Sequence, residues 1–149
     1  IGTLGGLSRF KDGQFTNYVS ELSSEVVISL YEDVKGALWI GTHGGGLNLF
    51  KNGRFAHFTV KDGLPDDVIY FIQEDGQGQL WLSSNKGVMR VSRTALEARR
   101  PESTQPLPVV SYGTADGMET RECSGGGHPV EKRTRADLRT GVGAARQDR

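Results

Sequence analysis

The chain has 149 residues, is 36% hydrophobic and carries 18 basic against 18 acidic side chains. Zero net charge provides no electrostatic footprint for nucleic acid or an anionic membrane surface, and the longest apolar runs, residues 26–28 and 68–72, fall far short of the ~20 residues a bilayer helix needs. The single cysteine, Cys123, excludes an intrachain disulfide framework and reads as an ordinary small residue, and any targeting signal is expected outside a chain that opens Ile1-Gly2-Thr3.

Ile1-Gly2-Thr3 reads as the end of a strand that recurs as Leu38-Trp39-Ile40-Gly41-Thr42 and as Leu80-Trp81-Leu82-Ser83-Ser84. Trp39 and Trp81 set a period of 42 residues, which Leu22/Leu64, Val26/Val68, Leu30/Ile72, Asp33/Asp75 and Gly36/Gly78 also obey. Residues 10–15 match 50–55 at an offset of 40. Short β-branched and aromatic segments bounded by Gly, Asn and Asp within each period predict four strands. In the complete copy these are residues 25–32, 37–42, 46–50 and 54–59. The next copy predicts strands over 67–74, 79–83 and 87–91, with its fourth strand displaced. Asp33 to Gly36 and Asp75 to Gly78 fit a type I turn, and Asp12-Gly13 and Asn52-Gly53 fit two-residue hairpin turns.

A period near 40 with four antiparallel strands and a tryptophan predicts an all-β partial β-propeller of about three blades and eleven strands. Residues 1–24 end a first blade, 25–66 form a complete second, and 67–118 form a third with an insertion at about 92–108. Residues 119–135 begin a further blade, and 136–149 read as an irregular or truncated tail. The insertion predicts a surface excursion, with one helical turn over 94–100.

Leu-Trp-Ile-Gly-Thr followed by Gly-Gly-Gly-Leu (38–47), Gly-Leu-Pro (63–65) and residues 68–75 resemble the two-component regulator propeller repeat. The resemblance implies a fragment of a seven-bladed propeller from the periplasmic part of a membrane-anchored sensor. In that setting a β-sandwich and a cytoplasmic histidine kinase or other output module follow the blades. It implies as partners a small molecule such as a saccharide, the remaining blades and the sandwich, and a parent protein that is a homodimer.

No constellation supports catalysis, and no cofactor or metal is implied. Trp39 and Trp81, at equal register in mid-strand, read as blade-packing residues buried between sheets, with Gly36, Gly41 and Gly78 as structural repeat positions. Gly44-Gly45-Gly46 opens no helix and reads as a turn rather than a phosphate cradle. The recurring Glu32-Asp33 and Glu74-Asp75 pairs read as turn residues, not as an acid and base. His43, His57 and His128 lack metal-ligand spacing. The loops entering each blade, with Glu25, Asp66 and Asp67, share an end of the meander with the second-to-third-strand loops, which hold His43, Asn85 and Lys86. Polar side chains there are the candidate ligand site. The alternative reading is a protein-binding propeller scaffold or a propeller lyase outside signalling.

Overall fold

The computed structural model describes residues 1–123. The remainder of the further blade, the tail from Ala136 and His128 lie outside the described residues. Among the described residues, eleven strands form three antiparallel sheets. The first contains β1 (Gly2–Thr3), β2 (Gly6–Lys11) and β3 (Gln14–Tyr18). The second contains β4 (Val27–Glu32), β5 (Leu38–Thr42), β6 (Leu47–Lys51) and β7 (Arg54–Phe58), paired in chain order. The third contains β8 (Phe71–Glu74), β9 (Gln79–Ser84), β10 (Gly87–Ser92) and β11 (Val109–Tyr112).

Turn chemistry accounts for the hairpins. Asn52 and Gly53 both take positive φ, 52° and 74°, and Asp12 and Gly13 repeat this at 52° and 78°. Such a turn matches the right-handed twist of the strands it joins. In both copies the Asp-x-x-Gly turn ends on a glycine of positive φ, Gly36 at 80° and Gly78 at 75°.

The third blade's first strand is shorter than its expected 67–74, because its leading residues bond to the second sheet instead. The Asp67 carbonyl accepts from Gly44 and Gly46, His43 bridges Val68, and Ile69 N–H donates to the Thr42 carbonyl at 3.0 Å. Only from Tyr70, whose N–H donates to the Ser83 carbonyl, does the chain join its own sheet. The second and third blades are thereby stitched together through backbone.

Alternation along the strands gives every sheet two apolar faces. Trp39, Leu47, Leu49 and Phe58 on one face of the second sheet join Ile69, Ile72, Leu80, Leu82, Met89 and Val91 of the third blade in one buried cluster. The opposite face contributes Val27 and Ile40, packed with Leu7 and Tyr18 of the first blade. Gly41 sits where two blades nearly touch: a Cβ there would lie 2.6 Å from the Ile69 carbonyl oxygen and collide with the Ser29 hydroxyl.

Two expectations need correction. Trp39 is fully buried, but Trp81 is only half-buried. The third sheet is the last among the described residues, and Trp81 faces away from the second, stacked on Tyr112 at 5.6 Å with the Arg90 guanidinium over its ring. The insertion is also more than a surface excursion. It forms α1 (Arg93–Ala98), capped by the Ser92 hydroxyl, and buries Leu96 and Leu107 in the cluster between the second and third blades.

Candidate functional site

Antiparallel order sends the loops to two ends. One end collects the hairpin turns at 33–36, 52–53 and 75–78. The other collects the loops at 43–46, 59–70 and 85–86, where five of the six predicted ligand residues lie, and Glu25 enters the second blade from that same end.

Three residues at the loop end form a connected polar group, Asp66 joined to the backbone of Asn85 and Tyr70 to its side chain. The Asp66 carboxylate accepts from the Asn85 N–H at 3.1 Å and from the Val68 N–H at 3.3 Å. The Tyr70 hydroxyl donates to the Asn85 side-chain carbonyl at 3.0 Å. Asp66 comes from the loop entering the third blade, Tyr70 from just ahead of β8, and Asn85 from the β9–β10 turn. The arrangement offers a carboxylate, an amide and a phenol on one rim, a donor and acceptor set suited to hydroxyl-rich small molecules. Tyr70 escaped the sequence reading. Its place four residues after Asp66, at the loop end of a strand, was the available signal.

The other predicted residues fare differently. Asp67 is committed to structure, its carboxylate accepting the Val60 N–H at 2.8 Å and its carbonyl stitching two blades. The backbone of His43 is held by Val26 and Ser24, while its exposed ring makes no hydrogen bond among the described residues. Glu25 and Lys86 are exposed.

The opposite end carries a structural constellation. Asp33 accepts the Lys35 and Ala37 N–H groups on one carboxylate oxygen and the Trp39 indole N–H, at 3.0 Å, on the other. Asp75 does the same for Gln77, Gln79 and Trp81. Arg93 of α1 lies 3.7 Å from Asp33 and 3.3 Å from Glu74, whose carboxylate also accepts the Tyr31 hydroxyl at 3.1 Å. Burial first, then that hydrogen bond, pushes the Tyr31 hydroxyl above its ordinary pKa. Farther along the insertion, Arg99 donates twice to Asp62 of the preceding loop, at 3.1 and 3.2 Å. These groups clamp two blades together.

Among the described residues, no group of three or more His, Cys, Asp or Glu side chains is placed to hold a metal ion, and no helix is long and apolar enough to cross a membrane.

Successive four-stranded sheets, with the first strand of each lying against the previous sheet, define a β-propeller segment. Within it, the two component regulator propeller family model matches residues 21–44 and 63–86. Among solved structures, the chain is similar to the extracellular domain of BT4673 of B. thetaiotaomicron, described as a hybrid two component system. The identity is 26% and the TM-score 0.69, over 81% of this chain and 18% of that one. A second structure of that domain, described as a one component system, gives 26% and 0.67. The extracellular domain of BT3049 from the same organism shares the fold at 19% identity and a TM-score of 0.58, over 64% of this chain. The chain thus spans less than a fifth of the structures it matches. No curated protein matches it. The chain is a β-propeller segment similar to part of the extracellular domains of two-component systems.

Proposed function

We propose that this segment senses a small ligand, a saccharide being the class its rim fits, in the periplasmic part of a membrane-anchored two-component sensor. The blades of such a sensor pass the binding event through a β-sandwich to a cytoplasmic histidine kinase or other output module, in a homodimeric parent protein. The observation that carries the reading is the Asp66–Asn85–Tyr70 group, presented at the loop end of a scaffold similar to extracellular domains of two-component systems. The segment itself performs no chemistry in this reading: the Asp66 and Asp67 carboxylates at the loop end are hydrogen-bonded to backbone N–H groups.

The test is calorimetric titration of the parent sensor's purified extracellular region with a panel of oligosaccharides. Asn85→Ala and Tyr70→Phe are expected to weaken saccharide binding about tenfold or more with the melting temperature held, consistent with one or two lost hydrogen bonds. Unchanged affinity in both variants would overturn the site, and capture of a protein rather than a saccharide would favour the scaffold reading.

A further inference from the structure

His43 stands at the loop end of the second blade, and backbone pairing fixes its neighbours. Its N–H donates to the Val26 carbonyl at 3.0 Å, one step beyond the Val27–Thr42 pair, so Val26 lies opposite it on one side. On the other side His43 bridges Val68. That bridge is flanked by bonds from the Gly44 N–H to the Asp67 carbonyl and from the Ile69 N–H to the Thr42 carbonyl, both 3.0 Å. It is therefore the close kind of antiparallel pair, with Cα atoms about 4.5 Å apart. Cross-strand partners share a face, so Val26, His43 and Val68 form one row across three strands. Val27, Thr42 and Ile69, each one position along, are buried on the opposite face, whereas Val26 and Val68 are half-buried and His43 is exposed.

We propose that this row is the apolar half of the saccharide site and that His43 is its stacking residue. The imidazole, with a valine at either shoulder, receives the non-polar C–H face of the sugar ring whose hydroxyls reach Asp66, Asn85 and Tyr70. The inference rests on the saccharide reading above and adds to it the residue that orients the ring.

The backbone holds His43 in place and leaves its ring free. The N–H is bonded to Val26 and the carbonyl accepts the Ser24 hydroxyl, while the ring makes no hydrogen bond among the described residues. Gly44, next in the chain, takes φ 92°, and a Cβ added there would meet no atom within 4 Å, so the space beside the ring is open. The strand that carries Val68 leads from the row to the polar group: Asp66 accepts the Val68 N–H, and Tyr70, two residues on, donates to Asn85. Two residues of extended chain span about 6.6 Å, a distance that one sugar ring bridges. His43 and Asn85 are also the same position of the repeat, one 42-residue period apart. Adjacent blades thus present an aromatic ring and an amide at neighbouring points of one rim. The electron-rich face of the ring suits the C–H side of a sugar, and the amide and phenol suit its hydroxyls.

The test uses the parent sensor's purified extracellular region and the member of the oligosaccharide panel that it binds most tightly. In calorimetric titration His43→Ala is expected to weaken binding about threefold to tenfold, and His43→Phe, which keeps a flat ring and removes both ring nitrogens, to stay within about twofold of the parent. Melting temperatures should be unchanged, since the side chain is exposed. Saturation-transfer NMR should mark the C–H protons on one face of one sugar unit, and that pattern should vanish in His43→Ala. A His43→Phe variant as weak as His43→Ala, with His43→Gln restoring binding, would mean that the ring nitrogens act by hydrogen bonding and would overturn the stacking role. Parent affinity in His43→Ala, with binding still weakened by Asn85→Ala and Tyr70→Phe, would overturn His43 alone and leave the polar site standing. Binding by no member of the panel would overturn both the stacking residue and the saccharide reading.

Discussion

The Trp39 indole N–H donates to the Asp33 carboxylate at 3.0 Å, and the Trp81 indole N–H donates to Asp75 at the same distance one repeat later. Each aspartate thus closes its turn with one oxygen and orients the blade's largest side chain with the other. The recurrence of Asp and Trp six residues apart follows from this bond: the turn supplies the acceptor that lets an indole be buried without an orphaned donor.

Asp33→Asn should destabilise the protein by ~1–3 kcal/mol, because the amide must set an N–H₂ against either the indole N–H or the two backbone N–H groups. Burial alone would raise the Asp33 pKa. The Trp39 indole, the Ala37 and Lys35 N–H groups and Arg93 outweigh it and hold the carboxyl below its ordinary value. At Asp75 the indole bond of Trp81 leads the same lowering. A depressed folded-state pKa means that the unfolded chain binds the proton more readily. The stabilisation is therefore complete above about pH 4, the unfolded carboxylate value, and lost as pH falls through the folded value. Urea midpoints between pH 2 and 6 should show an acid limb that is shallower in Asp33→Asn. An unchanged limb would show that the aspartate contributes no linkage.

Trp39→Ala should cost ~3–5 kcal/mol, since it empties a fully buried site between two sheets. Trp81→Ala should cost ~1–2 kcal/mol in this chain, because part of its ring already meets solvent beside Tyr112 and Arg90. Denaturant titration of both variants checks the order; equal losses would mean that Trp81 is covered as fully as Trp39.

Gly41→Ala should destabilise by ~1–3 kcal/mol. Its methyl would meet the Ile69 carbonyl, which belongs to backbone in the next blade and cannot rotate away. Hydrogen exchange should show the protection of Ile69 N–H, which bonds to Thr42 across that junction, falling more than that of Leu49 N–H within the second sheet. Uniform loss across both would place the damage elsewhere.

Arg99→Ala should loosen the insertion. The guanidinium holds Asp62 and the carbonyls of Ser103 and Gln105, so its removal leaves several acceptors unmatched, at ~1–3 kcal/mol. Limited digestion with a glutamate-specific endopeptidase should then cut after Glu102 faster than in the parent chain. An unaltered cleavage rate would mean that buried Leu96 and Leu107 secure the segment alone.

The repeat was legible because it is local. Strand identity, hairpin turns and the Asp-x-x-Gly turn each depend on a few adjacent residues, and Asn52-Gly53 takes in the structure the positive φ angles its residue types favour. The short helix after Ser92 was legible for the same reason. At the candidate site, strand parity was enough to bring the loops of Asp66 and Asn85 to one end. It could not show that Asp67 is consumed by the Val60 N–H and the glycines at 44 and 46, because those partners lie in another turn and their choice depends on where the chain crosses between blades.

The sequence by itself determined the blade architecture, since a 42-residue period with an apolar residue on each strand face can be buried only by stacking like sheets. Tertiary structure decided that Arg93, Leu96 and Arg99 turn an insertion into a clamp between blades. Repeat-equivalent residues are identical in pattern but not in neighbours. Burial, pairing and exposure belong to the interface between sheets, and that interface forms between residues some forty positions apart.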